Sequence, residues 1–166
     1  MKIVTIFGVS KSGKTTTIEA LISELLSRGY TVGSIKDIHY EQFVIDTPGS
    51  NTDRHTRAGA NPVTAWGINE TDVLYNRRLP LRELLKFYTQ DYVILEGSRE
   101  PGIPAILTAH RTEELEELDT PDVFVISGRI AALISQYKGR PAINAVTDIA
   151  ALTDLVEEKA KECDEL

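Results

Sequence analysis

The chain has 166 residues, with 25 acidic against 18 basic side chains and a formal net charge of −7. That length suits a single domain, taken here as residues 1–166, that buries its own core. The acidic balance excludes a general nucleic-acid or anionic-membrane surface, because phosphate binding by a whole face needs the opposite sign.

The first element is KIVTIF, residues 2–7, apolar at nearly every position as a strand buried on both faces must be. It leads into Gly8-Val9-Ser10-Lys11-Ser12-Gly13-Lys14-Thr15, which fits G-x-x-x-x-G-K-[ST]. Beyond the loop, Ile18, Leu21, Ile22, Leu25 and Leu26 share one helical stripe, with Glu19, Ser23, Glu24 and Ser27 opposite and Gly29 as the stop. Strand, glycine loop and helix together are the context that this motif requires.

Its chemistry is separable by residue. The glycines let the backbone curl so that successive N–H groups face phosphate oxygens, and the helix beginning near Gly13 adds its positive end. Lys14 is expected to reach the β- and γ-phosphates, and the Thr15 hydroxyl to ligate Mg²⁺. Lys11 either adds charge at the rim or is simply solvated.

Further strands are expected at 31–35, 42–46, 61–66, 92–96, 105–109 and 123–127, and further helices near 53–59, 80–88, 112–118 and 148–162. This alternation predicts a three-layer α/β fold with a mostly parallel central sheet between helices. Residues 67–79 are the least patterned, readable as a mobile loop or as a short extra strand. Trp66 reads as core or edge packing.

Two acids are expected to end apolar strands at the carboxyl edge of the sheet, where ligands of such folds lie. Asp46 closes QFVID and begins Asp46-Thr47-Pro48-Gly49, a D-x-x-G that also reads as ordinary turn chemistry. Glu96 closes YVILE before Gly97. Beside a phosphate loop, each is a candidate for Mg²⁺ or for orienting water, with the structural alternative of a plain strand-end acid. In NTDRHTRAGA, residues 51–60, Arg54 and Arg57 suit bidentate contact with an oxyanion, or equally a solvated, ion-paired helix start.

Cys163 is the single cysteine, so no internal disulfide forms, and the run after Met1-Lys2 is too short to cross a membrane. A reducing, cytoplasmic setting is the expectation. A guanine-reading N-K-x-D does not occur, since NAVTD at 144–148 has the wrong spacing and ISGR at 126–129 offers only a hydroxyl and an arginine. The residues alone therefore leave GTP and ATP both open.

Taken in order, FGVSKSGKTT, RGYTVGSIKD with His39, VIDTPGSNTDRHTRAGA and DYVILEGSREPGIPAI resemble the molybdopterin-guanine dinucleotide biosynthesis protein B family over about residues 1–109. The resemblance implies a P-loop NTPase fold related to metallochaperone GTPases, a homodimer, Mg²⁺-dependent GTP binding and slow hydrolysis. It also implies a role beside a guanylyltransferase that joins GMP to molybdenum cofactor, a molybdopterin-type ligand, to give molybdopterin guanine dinucleotide. By the same resemblance Gly8 to Thr16 would cradle phosphates, Asp46 and Glu96 would sit near Mg²⁺, and Asn51 to Arg57 would line the adjoining face. The chain departs from the family in having Asp37 after Ile35-Lys36, NTDR for D-S-x-R, and EGSRE for EGFK.

Two other classes share the loop. A small-molecule or nucleoside kinase would need an arginine-rich lid, for which Arg77-Arg78 is the candidate. A metallochaperone GTPase would need Cys and His ligands at close spacing, whereas this chain has one Cys and 3 His.

Overall fold

In the computed structural model, which describes residues 1–165, the elements run in chain order β1 (Lys2–Gly8), α1 (Lys14–Ser27), β2 (Val32–Lys36), α2 (Asn51–Arg57), β3 (Val63–Trp66), β4 (Thr71–Leu74), α3 (Leu81–Leu85), β5 (Tyr92–Glu96), β6 (Ala105–Thr108), α4 (Thr112–Leu118), β7 (Val123–Ser127), β8 (Gln136–Tyr137), β9 (Arg140–Pro141), α5 (Ile149–Lys159) and β10 (Lys161–Glu162). They fall into two units. One comprises Met1–Asp37 and the chain from Tyr88 onward, the other Ile38–Phe87.

The larger unit is built on a sheet ordered β2-β5-β1-β6-β7, in which every neighbouring pair along this path is parallel. Its strands alternate faces. Val4, Ile6, Ile94 and Ile106 join Ile18, Leu21 and Leu25 of α1 and Leu152 and Val156 of α5 in one core, whereas Phe7, Ala105 and Leu107 pack with Leu115 of α4 in the other. Side chains of successive strand residues point to opposite faces, so near-continuous apolar runs are what a sheet covered on both sides demands. This is the expected three-layer α/β arrangement. β10 adds an antiparallel pairing to the start of β1, tying the segment after α5 to the first strand.

α1 begins and ends where the sequence places it, with Tyr30 N–H returning to the Leu25 carbonyl beyond Gly29. Arg28 at its end reaches Glu24, Asp154 and Glu157, bracing α1 against α5.

In the smaller unit β3 and β4 form an antiparallel hairpin, so residues 67–79 supply the extra strand. Trp66 is not packed but 90% exposed at the end of β3. The strand expected at 42–46 does not form. Phe43 N–H closes a turn onto the Tyr40 carbonyl, and Val44 and Ile45 are 70% and 73% exposed. Strand propensity in Phe-Val-Ile is realised only where a partner strand pairs with it, and the place between β2 and β1 in the sheet belongs to β5.

Candidate functional site

The loop between β1 and α1 is wrapped by the neighbouring strand ends. Gly8 pairs with Thr108 of β6, where a β-carbon on Gly8 would collide with the Thr108 carbonyl oxygen. Ser12 is fully buried, and its hydroxyl lies 2.7 Å from the Thr108 hydroxyl and 2.8 Å from the Val9 carbonyl. Behind it Gly128, with φ +76°, leaves its α-carbon against Gly13, and Arg129 N–H donates to the Ser12 carbonyl at 2.9 Å. A side chain at 8 or 128 would enter the loop wall, so these glycines are required by close approach as much as by conformation.

Inside that wall α1 starts at Lys14 from Gly13 (φ +102°), with no side-chain cap and no acid in its first turn. The first N–H groups of a helix have no intrahelical acceptor, and the helix dipole makes that end positive. Uncapped N–H groups, a curled glycine backbone and a lysine at the helix start fit a phosphate group. Thr15 and Thr16 follow in the first turn and are exposed, as is Ser10 at the loop tip.

The Lys14 ammonium folds over its own loop, donating to the Gly8 and Val9 carbonyls at 2.9 and 2.6 Å. Burial pushes its pKa below the ordinary 10.5, the carboxylate of Glu96 opposes this, and the charge of Lys36 adds to it. Register explains these neighbours. Ile6 of β1 pairs with Glu96 of β5, and Glu96 pairs with Lys36 of β2, so both side chains stand at the carboxyl edge next to the loop. Glu96 Oε1 accepts from Lys36 Nζ at 2.9 Å, and the glutamate is 18% exposed. The strand beside the phosphate-loop strand thus ends in a carboxylate, the position from which P-loop proteins hold Mg²⁺ or its water. Arg99, in the bend beyond Glu96, lies 5.4 Å from the centre of the Phe7 ring.

The remaining predicted residues belong to the smaller unit. Asp46 ends no strand. Its carboxylate accepts from Thr47 N–H, Ser50 Oγ and Thr52 Oγ1 at 2.8 to 2.9 Å, an Asx arrangement at the entry to α2. The Ser50 hydroxyl, with the Thr52 hydroxyl and Thr47 N–H, lowers its pKa against the opposing effect of burial. Ser50 caps α2 by accepting from Asp53 N–H. Arg57 pairs with Asp53, and Arg54 is exposed. Arg77 pairs with Glu83.

The sequence points to no role for Thr108 or Gly128, and Arg129 enters only as the arginine of ISGR in the search for a guanine reader. Their strands were legible, but nothing in AILTA or VFVIS tells which loop their ends will touch.

The family described as Molybdopterin guanine dinucleotide synthesis protein B matches residues 3–136. The chain belongs to that family. It is 27% identical over 152 residues to the probable molybdopterin-guanine dinucleotide biosynthesis adapter protein of Bacillus subtilis (strain 168), covering 89% of this chain and 88% of the relative. The Haemophilus influenzae molybdopterin-guanine dinucleotide biosynthesis adapter protein is 33% identical over 129 residues, covering 74% and 70%. Among solved structures, crystalline Bacillus subtilis MobB aligns with a TM-score of 0.76 at 27% identity, covering 97% of this chain and 99% of that one. The P-loop fold of the MobB family is therefore the fold of this chain. Among the described residues no helix is long and apolar enough to cross a membrane.

Proposed function

We propose that this chain is a GTP-binding accessory protein of molybdenum-cofactor maturation, assisting the nucleotidyltransferase that converts the cofactor to molybdopterin guanine dinucleotide. The observation carrying the nucleotide part is the register that sets Glu96 beside a phosphate loop containing Lys14 and an uncapped α1. The family and its adapter-named relatives support the pathway part.

In this reading the N–H groups from Gly8 to Thr16 and the Lys14 ammonium hold the phosphates. Thr15 and Glu96 hold Mg²⁺, which would neutralise charge between the phosphates. Lys36 is paired with Glu96. Hydrolysis is slow, and the protein acts through presentation and partner contact rather than turnover, in a reducing cytoplasm.

A second copy of the chain completes the assembly. The hairpin supports this, because Trp66, Ile68 and Val73 are 90%, 101% and 48% exposed, and large exposed apolar groups on one short element mark a contact surface. Light scattering at working concentration tests it, a monomeric mass being the contrary result. The nucleotide and pathway parts are tested by adding the chain, with and without GTP, to a purified molybdenum-cofactor guanylyltransferase. Faster formation of the guanine dinucleotide, lost with Lys14→Ala, is the outcome expected.

A further inference from the structure

A peptide unit is planar and trans, so its C=O and the following N–H point in opposite directions. Pinning a carbonyl outward therefore aims the next N–H inward. The Ser12 carbonyl is pinned by Arg129 N–H, which turns Gly13 N–H into the loop. One residue earlier the same task falls to a side chain. His110 Nε2 lies 2.9 Å from the Lys11 carbonyl oxygen, which can only accept, so Nε2 carries the hydrogen and donates it. The opposed Ser12 N–H makes only a long 3.4 Å bond to Val9 O within the loop.

Lys11 has φ +61°, a left-handed conformation that few non-glycine residues adopt and that persists only where neighbours hold it. The loop motif places no glycine there. His110 is itself fixed: its N–H donates to Glu114 Oε2 at 2.7 Å, and its Nδ1 lies 3.4 Å from the same oxygen. Arg111 N–H adds a longer bond, and the Glu114 side chain is 12% exposed. The carboxylate thus anchors the backbone of His110 and borders its ring, bonding Nδ1 only when the imidazole carries both hydrogens, while Nε2 is left aimed at the loop.

We propose that His110 is a positioning residue of the phosphate loop, holding the Lys11 peptide outward so that Ser12 N–H faces the bound phosphates, with Glu114 orienting the imidazole. This rests on reading the loop as a nucleotide phosphate site. His110 touches the loop and not the nucleotide, so its removal weakens binding without removing a phosphate contact.

The test is calorimetric titration of the full chain with GTP and Mg²⁺ for the unmodified protein, His110→Ala and His110→Gln, with thermal melting of each. The alanine variant is expected to bind about five- to tenfold more weakly, the loss of one hydrogen bond. The glutamine variant, whose amide can donate to the same carbonyl, is expected to recover affinity to within about twofold. Unchanged affinity in His110→Ala, or equal weakening in both variants, overturns the inference while the nucleotide reading stands. Absence of binding by the unmodified chain overturns both.

Discussion

Lys14 Nζ lies 2.6 Å from the carbonyl oxygen of Val9, folded back across the loop it belongs to. The ammonium is held there by neutral carbonyls while burial disfavours its charge, so a phosphate at the loop would supply the counter-charge. Lys14→Ala should weaken GTP binding about ten- to a hundredfold, the range for a hydrogen bond from a charged donor. Circular dichroism should show the fold intact. Unaltered affinity would remove Lys14 from the phosphate site.

Glu96 stands in register with Ile6 and Lys36. If it holds Mg²⁺, Glu96→Gln should cut the gain in GTP affinity that Mg²⁺ brings by roughly tenfold or more, since one hard anionic ligand is lost. Affinity without the metal should change little. Titrations in Mg²⁺ and in chelator separate the two, and an equal loss in both would assign Glu96 to the loop rather than to the metal.

Gly128 has φ +76°, and a β-carbon there would collide with the Ser12 carbonyl oxygen. Gly128→Ala combines left-handed strain with that clash and should cost about 2 kcal/mol or more. For a chain of this size each kcal/mol lowers Tm by roughly 2–4 °C, which differential scanning calorimetry resolves. A wild-type Tm together with wild-type nucleotide affinity would mean that β7 does not wall the loop as described.

Asp119 and Arg140 form a two-pronged pair at 2.6 and 2.7 Å, the side chains 15% and 19% exposed. Arg140 first, and then Lys138, hold the Asp119 carboxyl below the ordinary 3.8 against the opposing effect of burial. A depressed carboxyl pKa stabilises the folded chain at pH above the ordinary value, and that contribution fades as pH falls below 3.8 through the lowered one. Asp119→Asn should therefore cost about 2 kcal/mol at pH 7 and progressively less in acid, because it leaves Arg140 half-paired. Urea unfolding across the acid range checks it, and a constant difference between the two proteins would contradict it.

The central sheet and α1 were legible because their signals are local and strong. Runs such as YVILE and VFVIS are apolar on both faces, α1 carries an unbroken stripe, and the glycine loop has a fixed spacing. QFVID is equally strand-like but pairs with no strand, and the place between β2 and β1 goes to β5. That same fact made Glu96 the acid in register with β1, which sequence order alone could not decide between it and Asp46. The wall of the loop is less legible still. Thr108, His110, Gly128 and Arg129 lie about a hundred residues from Ser12, and their meeting is a product of sheet order, not of any local pattern.

The measurement that tests the account most directly is calorimetric titration of the purified chain with GTP and with ATP, each with and without Mg²⁺, with Lys14→Ala alongside. The account predicts Mg²⁺-dependent binding that favours GTP and is lost in the variant. Failure to bind GTP, or binding that Lys14→Ala leaves untouched, would contradict it.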